Sequence, residues 1–259
     1  MRKIIVITGA SGGIGAALAR ELAKGGHKLV LAARRREELE KVAREAREAG
    51  AAAALAVTTD VTRREQVERL RDHALEEFGQ IDVWVNNAGR GIGRKVLDLT
   101  DADFDEMMTV NVKSALYGMQ AAVPHFQQRG SGHLINVSSF LGRVPLASFR
   151  SAYNAAKAAL NTLTANLRMD LKAESPGIHV SLVMPGVVTT EFADNALGAS
   201  SGSTYRPPAN VANAQTPEEV AAAIAELIER PRAEIFTNPS QGEIARRYYE
   251  DIAAFEDRM

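Results

Sequence analysis

Short runs of aliphatic and β-branched residues alternate with longer amphipathic stretches from one end of the chain to the other. Residues 3–8, 28–33, 52–58, 81–86, 133–138, 179–184 and 234–237 read as strands. Several of them lack polar alternation, as expected of strands covered on both faces. Helical patterns fill the intervals at 14–24, 36–49, 63–78, 101–128, 152–174 and 217–229. Thr62-x-x-Glu65 and Thr216-Pro217-x-Glu219 read as capping boxes, the second with proline at the first helical position, and Ser240-x-x-Glu243 opens a last helix. Sustained alternation of this kind predicts an α/β fold: a Rossmann-like, doubly wound parallel sheet of about seven strands with helices on both faces.

The 259 residues, 46% of them hydrophobic, would suffice for one large domain or two small ones. No repeat or break in composition divides them, so residues 1–259 are expected to form one domain. Its one long irregular segment, 191–215, is rich in small and polar residues and is expected to act as a substrate lid. With 31 basic against 32 acidic side chains, no global charge draws the chain to nucleic acid or an anionic membrane. The absence of cysteine excludes disulfides, thiolate metal sites and a cysteine nucleophile. The start carries two basic residues and too short an apolar run for a signal peptide, and no apolar stretch approaches the roughly 18 residues of a membrane span. A soluble cytoplasmic protein is the expectation.

Strand one runs into Thr8-Gly9-Ala10-Ser11-Gly12-Gly13-Ile14-Gly15 and then directly into a helix. Glycines there permit a tight turn and close backbone approach, and the helix start offers free N–H groups to a pyrophosphate. The spacing reads either as G-x-x-x-G-x-G through Gly9, Gly13 and Gly15 or as G-x-x-G-x-x-G through Gly9, Gly12 and Gly15. Where the second strand ends, an NAD site would hold an acidic residue for the ribose 2′-hydroxyl. This chain has Ala33 followed by Arg34, Arg35 and Arg36. Guanidinium groups without a carboxylate suit a 2′-phosphate, which favours NADP(H) over NAD(H). The competing reading, a solvated helix start paired with Glu37, Glu38 and Glu40, leaves arginine opposing the helix dipole.

Tyr153 and Lys157 are spaced i, i+4 on one helix face. A phenol with a pKa of about 10 is a poor acid or base near neutrality, and an adjacent cation lowers that value toward the working range. Taken alone, the pair reads rather as an ordinary helical Tyr–Lys pair. Asn136-Val137-Ser138-Ser139 places two hydroxyls at the end of the fifth strand, where open α/β sheets form their ligand crevice. Asn86-Asn87-Ala88-Gly89 ends the fourth with small residues, and Asn111 lies in the long helix that follows.

In order and spacing these motifs resemble the short-chain dehydrogenase/reductase family over nearly the whole chain: Thr8-Gly9-x-x-x-Gly13-x-Gly15, Asp60-Val61, Asn86-Asn87-Ala88-Gly89, Asn111, Ser139, Tyr153-x-x-x-Lys157 and Pro185-Gly186-x-Val188-x-Thr190. The resemblance implies a hydride transfer between a nicotinamide and a carbonyl or alcohol. Tyr153 would be the general acid or base, and Lys157 would lower its pKa and bind the nicotinamide ribose. Ser139 would polarise the substrate oxygen, and Asn111 would hold a water that links Lys157 to solvent. The cofactor would meet Gly9, Ser11, Gly12, Gly13, Ile14, Gly15, Arg34, Arg35, Asp60, Val61, Asn87, Ala88 and Gly89. Beyond the active site it would meet Pro185, Gly186, Val188 and Thr190. Thr62 would cap its helix and so leave Asp60 free for the adenine. A homodimer or homotetramer is implied, joined through the helices at 101–128 and 152–174.

Ser139 lies 14 residues before Tyr153, one more than the family's usual interval, which leaves Ser138 as the fallback. Ser114 replaces a glycine common after the helical asparagine. The substrate pocket is expected among 140–150, the residues after Pro185 and the 191–215 segment. His27, His73, His125, His133 and His179 are scattered without metal-ligand spacing, and Trp84 within its apolar strand reads as core. No metal is expected. An NADP(H)-dependent oxidoreductase acting on a small carbonyl or alcohol is therefore the expectation. The competing class is a non-catalytic dinucleotide-binding sensor or scaffold, which would have no use for the Asn-Ser-Tyr-Lys set.

Overall fold

The computed structural model describes residues 2–192, 196–197 and 214–258. Strands β1 (Ile4–Thr8), β2 (Lys28–Ala33), β3 (Ala53–Thr58), β4 (Val83–Asn86), β5 (Gly132–Val137), β6 (Ile178–Met184) and β7 (Glu234–Phe236) form one sheet in the order β3-β2-β1-β4-β5-β6-β7. Every pairing is parallel. The chain changes direction of winding between β1 and β4, where Val6 sits between Val30 and Trp84. Sheets of this type bind ligands beyond the carboxyl ends of the strands at that switch point.

The missing polar alternation has its explanation in two cores. Ile5, Ile7, Leu29 and Leu31 face helices α1 (Gly13–Ala23), α2 (Arg36–Glu48) and α7 (Pro217–Glu229), packing with Leu18, Leu39 and Ile224. Their neighbours Val6 and Val30 face the opposite way, toward α3 (Arg64–Phe78), α5 (Ser114–Arg129) and α6 (Ser151–Glu174), with Leu70, Phe126 and Leu160. These strand residues are thus apolar on both faces because both sides of the sheet are covered. Trp84 is completely buried in the second core.

The helix expected over 101–128 is two helices, α4 (Asp101–Met108) and α5, joined by one π-helical turn at Thr109–Lys113. The Ser114 N–H bonds back to the Thr109 carbonyl, and the Ser114 hydroxyl donates to the Val110 carbonyl at 2.5 Å. A serine hydroxyl thus meets a carbonyl that the widened turn displaces. A capping box at Thr100 and Asp103, absent from the sequence reading, starts α4.

The Thr216–Glu219 box forms as expected, with Pro217 in the first turn. The Thr62–Glu65 box does not. Asp60 Oδ1 accepts both the Thr62 N–H at 3.0 Å and its hydroxyl at 2.7 Å, and α3 starts later, from an Arg63 that offers no side-chain cap. Asp60 is accordingly not left free by Thr62. Ser240 precedes α8 (Gln241–Glu250) without capping it, because its hydroxyl donates to Asn238 Oδ1, and a further helix α9 (Ile252–Glu256) follows. The 191–215 segment lies largely outside the described residues. No helix among the described residues is long and apolar enough to cross a membrane.

Candidate active site at the carboxyl edge of the sheet

The residues singled out from the sequence converge beyond the carboxyl ends of β1 to β6. In the turn after β1, Gly9 (φ 68°) and Gly13 (φ 51°) adopt the left-handed conformation. A Cβ on Gly15 would lie 2.4 Å from the Gly9 carbonyl oxygen. One on Gly12 would meet only the flexible end of Arg35, so the G-x-x-x-G-x-G reading describes the turn. Helix α1 has no side-chain cap and no acidic residue in its first turn, which leaves its N–H groups to an anion. This cradle fits a dinucleotide pyrophosphate. Ile14 beside it packs partly into the core.

Thr8 welds that turn to the end of β4. Its hydroxyl accepts the N–H groups of Asn87 (3.0 Å) and Ala88 (3.2 Å), and Asn87 Nδ2 donates to the Thr8 and Gly9 carbonyls. The Asn87 side chain is therefore spent on the turn itself. Thr190, from the loop after Pro185, comes within 3.4 Å of where a Gly13 Cβ would stand. Val188 in the same loop pairs with Gln215, which also binds the Val187 carbonyl and, through its side chain, Thr237. Gln215 went unremarked in the sequence because only the fold brings it to the loop.

Arg35 crosses the turn to reach Ser11 at 3.3–3.4 Å and Glu191 at 3.9 Å. Arg34 is exposed and makes no ion pair among the described residues. Burial pushes the Asp60 carboxyl up, but the two Thr62 bonds and the cations Arg34 and Arg63 outweigh it and hold the group below its ordinary value. Val61 packs against the second core.

Asn111 sits in the π-turn. Its Nδ2 donates to the carbonyls of Arg90 and Met107, and its Oδ1 accepts the Arg90 N–H at 3.2 Å. Gly89 is pressed between them: a Cβ there would lie 2.9 Å from Asn111 Oδ1 and 3.5 Å from Lys157 Nζ. The Ser138 hydroxyl donates to Asn161 Oδ1 at 2.5 Å and to the Lys157 carbonyl, so it is committed to structure. Asn161 in turn donates to the Gly142 carbonyl and fixes the short helical turn Phe140–Gly142. Ser139 begins that turn, its Oγ accepting the Leu141 N–H at 3.2 Å, which leaves the hydroxyl proton to be given elsewhere.

Tyr153 and Lys157 are both buried on the inner face of α6. The ammonium lies 5.6 Å from the Tyr153 ring centroid and donates to the Val137 carbonyl at 3.1 Å. Burial pushes Lys157 down to about 8. It pushes the Tyr153 phenol above its ordinary value, against the opposite pull of the Ser139 hydroxyl and the Arg150 guanidinium. The downward pull expected from Lys157 is not among these influences. Phe192 meets the Tyr153 ring edge-on at 5.6 Å.

Beneath the site, Asn86 and Asn136 pair across β4 and β5 at 2.9 Å, with Trp84 Nε1 donating to Asn86 Oδ1 and Asn136 donating to Thr164 of α6. Asparagine at the inner ends of two largely apolar strands is the sequence signal that would have found this network. Among the described residues, no three His, Asp or Glu side chains gather as a metal site requires.

Such a sheet, with a glycine cradle at its switch point and a Ser, Tyr and Lys beside it, defines a dinucleotide-binding α/β oxidoreductase. The model of the short chain dehydrogenase family matches residues 3–199. An uncharacterized oxidoreductase of Staphylococcus aureus (strain USA300) is 35% identical over 230 residues, 89% of this chain and 92% of that protein. Uncharacterized oxidoreductase YxnA of Bacillus subtilis (strain 168) is 36% identical over 94% of this chain and 67% of its own. The chain belongs to the short-chain dehydrogenase family. Among solved structures, a short chain dehydrogenase/reductase from Burkholderia phymatum in complex with NAD is similar with a TM-score of 0.85, at 31% identity over 98% of this chain and 95% of that one. An alcohol dehydrogenase from the archaeon Thermococcus sibiricus complexed with 5-hydroxy-NADP has a TM-score of 0.78, at 30% identity over 91% and 96%.

Proposed function

We propose that the chain is an NADP(H)-dependent oxidoreductase that interconverts a small carbonyl compound and a secondary alcohol. The observation that carries this reading is the buried Tyr153–Lys157 pair facing the Ser139 hydroxyl beside the glycine cradle. The nicotinamide, when bound, supplies or accepts the hydride at the substrate carbon. Ser139 donates its hydroxyl proton to the substrate oxygen and polarises it. Tyr153 gives its phenolic proton to that oxygen in reduction and takes it back in oxidation, and burial favours the neutral phenol that reduction needs. Lys157, held near neutrality by burial, exchanges a proton with the site and anchors the ribose. Asn111 fixes the Arg90 backbone and would hold the water that leads from Lys157 to solvent.

The preference for NADP(H) rests on Ala33 standing where a ribose-binding carboxylate would stand, with Arg34 and Arg35 beside it. One similar structure carries an NADP derivative and the other NAD, so the arginines decide the reading. A homodimer or homotetramer in the cytoplasm is the working form.

Tyr153→Phe is expected to lower turnover by about 10²–10⁴-fold while dinucleotide binding persists. Undiminished turnover, measured with a carbonyl panel and NADPH oxidation, would overturn the assignment. In a fluorescence titration NADPH should bind more tightly than NADH, and Arg34→Glu should remove the difference. Equal affinities in the unaltered protein would defeat the argument from Arg34.

A further inference from the structure

The stretch between Ser139 and Tyr153, expected as a wall of the substrate pocket, is tied to α6 by two asparagines. Asn161 Nδ2 donates to the Gly142 carbonyl and Asn154 Nδ2 to the Ala147 carbonyl, each at 3.0 Å. The two stand seven residues apart, hence on one face of the helix and two turns from each other. Both residues are buried, but their situations differ. Asn161 Oδ1 takes the Ser138 hydroxyl, and the wall near Gly142 is held a second time by packing. Phe140 and Val144 are buried against Ala245 of α8, and the Tyr249 hydroxyl donates to the Arg143 carbonyl at 2.9 Å. Further along the wall Pro145 and Ser148 are exposed on either side of Ala147. Asn154 Oδ1, though buried, meets no donor among the described residues. A buried amide that uses only its donor is kept for what that donor holds.

We propose that Asn154 is a positioning residue that sets substrate discrimination: standing next to Tyr153, it fixes the outer part of the wall, residues 145–149, relative to the phenol. The inference rests on the proposed carbonyl chemistry at Tyr153. Tyr153 and Asn154 share one helical turn, so the Ala147 bond refers the wall to the same rigid element that carries the acid and base. A fixed wall sorts substrates by shape, because loosening it costs the molecule that fills the pocket more than one that leaves it slack.

The role can be separated from folding. The Ala147 carbonyl also accepts the Arg150 N–H at 2.9 Å, so it keeps a partner when the Asn154 amide is removed. Leucine at this position keeps the volume and removes the donor together with the bare acceptor, which leaves global stability little changed.

The test compares the unaltered protein with Asn154→Leu, Asn154→Ala and Asn154→Gln, the last keeping an amide donor on a longer stem. One readout is the reduction of butanone and of the bulkier benzylacetone with NADPH. The other needs no turnover: amide hydrogen exchange of residues 145–150. Asn154→Leu is expected to draw the two kcat/KM values closer by about two- to tenfold, through KM rather than kcat, and to speed exchange at 145–150 by a similar factor. Asn154→Gln should restore most of both, and the affinity for NADPH should hold in every variant. A ratio of kcat/KM values left unchanged by Asn154→Leu would overturn the inference, whether or not exchange quickens, as would an equal fall in kcat on both ketones. Thermal unfolding identifies a variant that fails to fold, and Asn154→Ala then carries the comparison. If Tyr153→Phe keeps full turnover, the proposed function falls instead, and the exchange measurement still decides whether Asn154 holds the wall.

Discussion

The same burial acts in opposite directions on the two residues at the centre of the site. It raises the Tyr153 phenol and lowers the Lys157 ammonium to about 8, and each shift disfavours the charged form. The fold therefore carries a destabilising cost for keeping Lys157 where it is. With its pKa lowered from the ordinary 10.5 to about 8, the lysine costs stability wherever the unfolded chain still binds the proton, so the cost is largest below pH 8 and shrinks as pH rises from there toward 10.5. Lys157→Met keeps the aliphatic stem and removes the charge, at the loss of the bond to the Val137 carbonyl. The variant is expected to be more stable than the unaltered protein at neutral pH by about 2 kcal/mol, and far less active. Urea unfolding at neutral pH checks it; a destabilised Lys157→Met would mean that the Val137 bond outweighs the buried charge.

At the scale of elements, most of the site was legible. Strand ends and glycine spacing place ligand-binding segments wherever both sheet faces are apolar, since only the carboxyl edge remains open. What escaped was decided by local competition. Asp60 captured Thr62 and removed its cap, and Ser114 accommodated a π-turn inside a pattern that reads as one helix. The bonds of Thr8, Gln215 and Asn161 escaped for another reason: their partners are far away in sequence. A strand-level prediction comes from His133 on β5, buried against Ser181 on β6 with its Nε2 2.8 Å from the hydroxyl. Ser181 donates to the Arg232 carbonyl, so the His133 Nε2–H donates to Ser181. Burial pushes His133 down to about 3 from 6.5. Its contribution is fully present above pH 6.5 and is lost as pH falls toward 3, because the unfolded chain takes up a proton that the fold refuses. Between pH values of about 7 and 5 the loss is about 2 kcal/mol. Chemical denaturation of His133→Asn should show a shallower pH dependence over that interval; an unchanged slope would reject the assignment. Burial shifts His27 and His125 in the same direction.

For the whole molecule, the question is what holds two halves of a sheet in fixed relation around one crevice. The β1–β4 junction is closed by Thr8 and Asn87, and the β4–β5–α6 junction by the Asn86–Asn136–Thr164 chain. Both lie directly under the cradle and the Ser–Tyr–Lys set, so polar bonds in an apolar interior set the distance between the two ligand-binding regions. Asn136→Leu leaves the Asn86 amide and the Thr164 hydroxyl without this partner. It is expected to cost about 2–3 kcal/mol in global stability. Calorimetry showing an unchanged melting temperature would show that the network is dispensable.

Trp84 is the chain's one tryptophan, wholly enclosed, with its indole N–H on Asn86. Emission excited selectively at that indole therefore comes from a single known place, and a dry environment shifts it to the blue. The crevice begins at Asn87–Gly89, only three to five residues further along, or about 10–17 Å at extended spacing. A reduced nicotinamide seated there would lie well inside the range of resonance energy transfer from the indole. The protein thus carries its own optical gauge of occupancy: quenching of the native blue emission on ligand addition, and a red shift only when β4 itself comes apart.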